Sequence, residues 1–182
     1  MSPFDSIGNT SVPVNGIGTM SKLLTLESVT AHRENIHALD LCTFTEVEER
    51  AIPLLSKLKR YLNLSGLTAL TDTAAELLSS HHGILALGGL TSLSPAAATA
   101  LAKMNGGLWL DGLTALPAEI AAALSLHKGD LYLRGLPALA DAAAAAALAK
   151  HEGFLSLAAI TTLTDAAAKS LAKHPQCAGL RK

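Results

Sequence analysis

Four histidines, His81, His127, His151 and His174, recur at one place in a repeating pattern, with Met104 in the slot between the first two. A column of imidazoles raises the question of a metal centre. Equivalent side chains on helices about 8–10 Å apart cannot share an ion bound at about 2.1 Å. No Cys or carboxylate recurs beside them, and His81-His82 are adjacent rather than spaced as HExxH. No metal site is expected. The histidines read instead as cationic groups near helix C-termini, where the dipole favours positive charge. Ser, His and Asp all occur, but at caps and turns. There is no GxSxG, no P-loop and no GxGxxG following a strand. The segments "LGGL" and "NGGL" read as bends, and Cys42 as an ordinary half-exposed thiol. No catalytic residue is assigned, no cofactor is expected, and the chain reads as a non-enzyme.

The remaining chemistry is recognition. The only Trp, Trp109, stands in "LWLDGLTALP", and 23 residues later Tyr132 takes the same slot in "LYLRGLPALA". Asp111 and Arg134 are matched in the same way. An aromatic pair beside an acid–base pair has the composition of a recognition patch, which Tyr61, Asn63 and Phe154 would extend. The competing reading is cross-strand packing, which contributes about 0.2–1 kcal/mol per pair without any ligand.

These residues are placed by a repeat. Five units align at a period of 23, from Tyr61, Ile84, Gly107, Asp130 and Phe154, with one extra residue in the fourth. A weaker unit starts at Ala38, and "LLTLESVT" from Leu23 reads as a strand half lacking its helix. Each unit opens as x-L-x-L-x-G-L, an alternation that predicts a short strand with leucines inward and the third and fifth residues outward. An Ala- and Leu-rich half with helical spacing follows. Ser94 precedes Pro95 as a helix cap, and Asp72 and Asp165 sit at helix starts. In "TEVEERAIPLLSKLKR", Thr45 and Glu48 have capping-box spacing, and Pro53 kinks or restarts the helix. One such unit cannot bury its leucines, but stacked units can. The expected fold is α/β: a solenoid with short parallel strands on an inner face and short helices outside.

The "LxLxGLTxL" segment, the period and the strand–helix order resemble the leucine-rich-repeat family, particularly its Ala-rich bacterial variants, over about Ala38 to His174. That family places Asn or Cys after the strand, whereas this chain has Leu67, Leu90, Leu113, Leu136 and Ile160. The resemblance implies a scaffold that binds a protein or peptide on its concave strand face. The alternatives are a structural or self-assembling module, associating through open ends or part of a longer array, and a carbohydrate or small-molecule binder stacking on Trp109 and Tyr132.

Composition agrees with thin, regular layers. Hydrophobic residues make up 49% of the 182, aromatics only 3%, and the net charge is −1. Such a balance gives no electrostatic footprint for nucleic acid or an anionic membrane. Two distant cysteines, Cys42 and Cys177, fit a reducing, cytoplasmic setting. Residues 1–21 lack the pattern of a secretory signal and are expected to be disordered, with Met20 an alternative start. Residues 22–60 are expected to form an N-terminal cap with the first divergent repeat, 61–176 the five repeats, and 177–182 a tail.

Overall fold

The computed structural model describes residues 11–12, 21–32, 41–58 and 61–178. It is a mixed α/β structure with parallel strands. The N-terminal part holds β1 (Ser11–Val12), β2 (Ser21–Leu24), α1 (Leu26–Ala31), β3 (Glu46–Val47) and α2 (Ile52–Leu55). Then come β4 (Tyr61–Asn63), α3 (Asp72–Leu78), β5 (Ile84–Ala86), α4 (Pro95–Leu101), β6 (Leu108–Trp109), α5 (Ala118–Leu124) and β7 (Leu131–Tyr132). The chain continues with β8 (Ala138–Leu139), α6 (Ala142–Leu148), β9 (Leu155–Ser156), β10 (Thr162–Leu163), α7 (Asp165–Leu171) and β11 (Cys177–Ala178). Among the described residues no helix is long and apolar enough to cross a membrane.

Strands β4, β5, β6, β7, β9 and β11 form one parallel sheet in that spatial order. The register follows the period: Leu62 pairs with Leu85, Leu85 with Leu108, Leu108 with Leu131 and Leu131 with Leu155. These leucines, and Leu64, Leu87, Leu110, Leu133 and Leu157, are fully buried. Each buried leucine contributes about 1.5–3 kcal/mol. The helices lie against that face, each packed on the next from α2 to α7. Their small inward residues, such as Ala97, Ala98, Ala144 and Ala145, are buried with Leu101 and Leu148.

The turn after each strand closes locally. Leu67 N–H donates to the Leu64 carbonyl at 3.0 Å, and Leu113 N–H to that of Leu110 at 3.2 Å. Glycine is required here by crowding. A Cβ at Gly135 would overlap the Asp111 carbonyl oxygen, and one at Gly112 that of Gly88. Helix starts are capped by Thr71, Ser94 and Thr164, whose hydroxyls accept from the N–H groups of Ala74, Ala97 and Ala167. Asp72 and Asp165 are thus the first helical residues after the caps. The caps also link neighbours: Thr71 donates to Glu49 at 2.6 Å, and Ser94 to Asp72. The fourth unit's extra residue lies ahead of α6, which keeps the 7 residues of α3, α4, α5 and α7.

The N-terminal part differs from expectation. Within the N-terminal segment 1–21, Ser11–Val12 pair antiparallel with Ser21–Lys22, and residues 1–10 and 13–20 lie outside the described residues. "LLTLESVT" opens on the end of β2, Leu23–Leu24, as a strand half, but it does not lack its helix, since α1 follows at Leu26. Thr45 and Glu48 form no capping box. Residues Glu46–Val47 instead pair with Leu23–Leu24. Thr45 Oγ1 accepts from Lys22 N–H at 3.0 Å, and Glu48 Oε2 from Leu26 N–H at 2.8 Å, at the start of α1. Pro53 sits at the start of α2, so the helix restarts there. The expected strand around Leu41 is a 3-10 turn, Leu41–Thr43, and Cys42 is half-buried within it.

Gly135→Ala should destabilise the protein by about 1–3 kcal/mol, the usual range for overpacking. Gly88→Ala, whose Cβ would lie 3.4 Å from Ser65 Oγ, should change stability by no more than about 0.5 kcal/mol. Urea unfolding of the two variants beside wild type checks both.

Candidate interaction surface

The face of the sheet opposite the leucines carries the residues singled out from sequence. Register places Trp109 beside Ala86 on one side and Tyr132 on the other, with Ser156 beyond. Four rings form a row. Centroids lie 5.5 Å apart for Tyr61–Trp109, 5.3 Å for Trp109–Tyr132 and 5.6 Å for Tyr132–Phe154, with planes tilted by 57°, 59° and 52°. Tilted contact is the geometry that aromatic quadrupoles favour. Tyr61 and Trp109 are on strands two apart, so their rings meet across β5, where Ala86 has only a methyl group. Ala86 and Ser156 hold outward positions yet are 2% and 6% exposed; flanked by large residues, small side chains there are buried. At the margin, Tyr61 and Ile84 are exposed.

Arg134 joins the row. Its guanidinium carbon lies 5.1 Å from the Trp109 ring centroid and 5.4 Å from that of Tyr132, within cation–π range. Asp111 holds it there. One carboxylate oxygen accepts from Arg134 N–H at 3.0 Å, and the other from Nε at 3.0 Å and Nη2 at 2.5 Å. Hydrogen bonding to this carboxylate raises the Arg134 pKa. Sequence spacing matched Asp111 with Arg134 but carried no sign of the rings beneath the guanidinium. Asn63 is half-buried at an outward position and folds back on its own strand end, where Oδ1 accepts from Ser65 N–H at 3.1 Å. Trp109 Nε1 is buried without a hydrogen-bond acceptor among the described residues.

The histidine column requires a correction. His81, His127, His151 and His174 are 0%, 1%, 1% and 6% exposed, which does not fit cations set at helix ends. Their backbone N–H groups, rather than their rings, satisfy the helix carbonyls of Leu78, Leu124, Leu148 and Leu171. The rings of His127 and His151 stack at 6.1 Å and 4°, and those of His151 and His174 at 5.9 Å and 24°. Helix spacing of 8–10 Å therefore overstated their separation. Burial lowers the pKa of all three, and each of His151 and His174 is lowered further by the preceding ring. The rings face one another in parallel and do not converge. Among the described residues no group of three or more His, Cys, Asp or Glu is placed to hold an ion.

No disulfide joins Cys42 and Cys177. Burial raises the pKa of the Cys177 thiol, which makes it a poor nucleophile at neutral pH.

Trp109 contacts two rings and Phe154 one. Trp109→Ala should therefore cost about 1–3 kcal/mol from lost ring contacts, and Phe154→Ala about half as much, beyond the area each exposes. Chemical denaturation followed by circular dichroism measures the difference.

No protein-family model matches the chain, and no curated protein matches it.

Proposed function

We propose that this chain is a non-enzymatic repeat scaffold of the leucine-rich-repeat type, a solenoid that binds a protein or peptide on its concave strand face. The observation that supports it is the row Tyr61–Trp109–Tyr132–Phe154 with Arg134 set over its centre. Of its six Phe, Trp and Tyr residues the chain gathers four in this row, on the sheet face away from its leucine core. Aromatic and Arg side chains are the residues that carry most binding energy at protein interfaces. Strands about 4.8 Å apart against helices about 8–10 Å apart support curvature toward this face. Recognition would use the exposed parts of the ring faces and Arg134 as a cation already oriented by Asp111. Binding of this kind requires no cofactor.

The test is an affinity pull-down from source-cell lysate with mass spectrometry. Wild type is compared with Trp109→Leu, Tyr132→Leu, which keeps apolar bulk but removes the aromatic faces. Circular dichroism establishes that both are folded. A protein retained by wild type and lost by the folded variant is the expected result. Identical sets from both, or the bait alone, would reduce the row to cross-strand packing.

A further inference from the structure

The stack of His127, His151 and His174 plays no part in the proposed partner surface. It lies at the end of each helical half, on the side where the chain returns to the sheet. Three imidazoles are buried one above another across three successive units, at centroid separations of 6.1 and 5.9 Å. Neither nitrogen of His127 or His151 makes a well-formed hydrogen bond, and neither does Nε2 of His174; backbone groups of Gly106, Ala102 and Met104 near His127, and of Phe154, Gly129 and His127 near His151, favour charge, but burial outweighs them; His174 Nδ1 accepts from Gln176 N–H at 3.0 Å. The surroundings are tight. A Cβ at Gly129 would lie 2.9 Å from His127 Nε2, and one at Gly153 3.0 Å from His151 Nε2. A buried imidazole with this packing is accommodated while neutral. As a cation it would lose its hydration, and only His127 has an acid, Asp130, near enough to favour charge.

We propose that this stack is an acid-sensitive lock: at neutral pH the three rings seal successive units at the C-terminal side of the described chain, and acidification drives these units apart.

The charged groups around the rings do not rescue the cationic form. Asp130 favours charge on His127, but burial outweighs it. Lys128, Lys150 and Glu152 line the same surface cavity as His127. Of these, Lys128 and Glu152 are largely exposed and paired with each other at 3.9 Å. Lys173 is exposed beside His174. On the α4 side the column continues as Met104, which is uncharged and buried, and Lys103 is paired with Glu76 at 2.9 Å. Further along, His81 Nδ1 lies 3.3 Å from the Ser56 carbonyl oxygen. Within the stack each proton taken up repels the next.

The direction follows from linkage. An unfolded histidine titrates near pH about 6.5, and all three rings lie lower in the fold. As pH falls below that value, the unfolded chain takes up protons before the folded chain does. Stability is complete above pH about 6.5 and declines below it until the folded values are passed. Each ring shifts the unfolding equilibrium by up to about tenfold per pH unit, and three by up to about a thousandfold. Carboxylates, near about 4, remain ionised through most of this window.

Met104 supplies the control, because it shows the column accepting a neutral thioether. Urea unfolding of the full chain would be measured between pH 7.5 and 5.5, for wild type and for His127→Met, His151→Met, His174→Met. The wild-type unfolding constant should rise by about 100- to 1,000-fold over this range, and that of the variant by less than about tenfold. Equal rises, or a flat wild type, would overturn the proposal. NMR titration of the histidine ring carbons in wild type decides the matter if the variant fails to fold. Three rings silent through pH about 6.5 while the protein stays folded would support the lock. Ordinary titration of those rings in the folded protein would overturn it.

Discussion

The parallel backbone ladder between successive units is the constraint on which the other features depend. Leu85 N–H donates to the Gly107 carbonyl at 2.9 Å, Leu108 N–H to Asp130 at 2.8 Å, Leu131 N–H to Phe154 at 2.8 Å and Leu155 N–H to Gln176 at 3.1 Å. With the register fixed at one repeat, every position lies beside its own equivalent. A residue type is therefore tested against itself. Leucine passes because a column of leucines buries apolar area on both sides. A column of one charge would repel itself, so the strand face carries few charges, and Asp111 and Arg134 have opposite signs. Histidine passes only while neutral.

The same self-contact sets the two sides of the sheet apart. On the leucine side, uniformity yields a dry core and helices packed closely through alanine. On the other side, variation concentrates large residues locally. Tyr61, Trp109, Tyr132 and Phe154 make a continuous row only because Ala86 is small enough for the rings to meet across β5. The row and the Asp111–Arg134 pair stabilise each other's positions, so one side chain fixed by another becomes a surface with a defined shape. The caps act likewise: Thr71 and Ser94 each close their own helix and also reach the preceding unit.

Much of this was legible in the residues. Alternating leucines indicate both strand and inward face, and one period sets the register, so Trp109 next to Tyr132 follows from counting. What counting cannot supply is depth. Each histidine comes three residues after the last leucine of its helix, Leu78, Leu124, Leu148 or Leu171, and nothing local distinguishes an exposed ring there from one folded under the next turn. Ala86 and Ser156 are similar cases, since their burial depends on flanking side chains. In the N-terminal part, two local rules competed with pairing. Thr45 and Glu48 satisfy capping-box spacing, yet their oxygens serve Lys22 in β2 and Leu26 at the start of α1, where those donors are open. The "LxL" triplet Leu24-Thr25-Leu26 reads as strand alternation, yet it leaves β2 at Leu24, caps at Thr25 and enters α1 at Leu26.

The extra residue of the fourth unit bears on how such a chain can change length. It falls between Leu139 and the cap Asp141, which accepts from Ala143 N–H two residues on, whereas Thr71 accepts from a donor three residues on. The helix keeps its length, and Leu131 still pairs with Leu155 across the longer unit. The corner between strand half and helix is therefore a joint that takes up slack. Insertions there are absorbed without passing a frameshift to the rest of the stack. It is the natural site for grafting a loop, and one where lineages can diverge in length while keeping the same sheet.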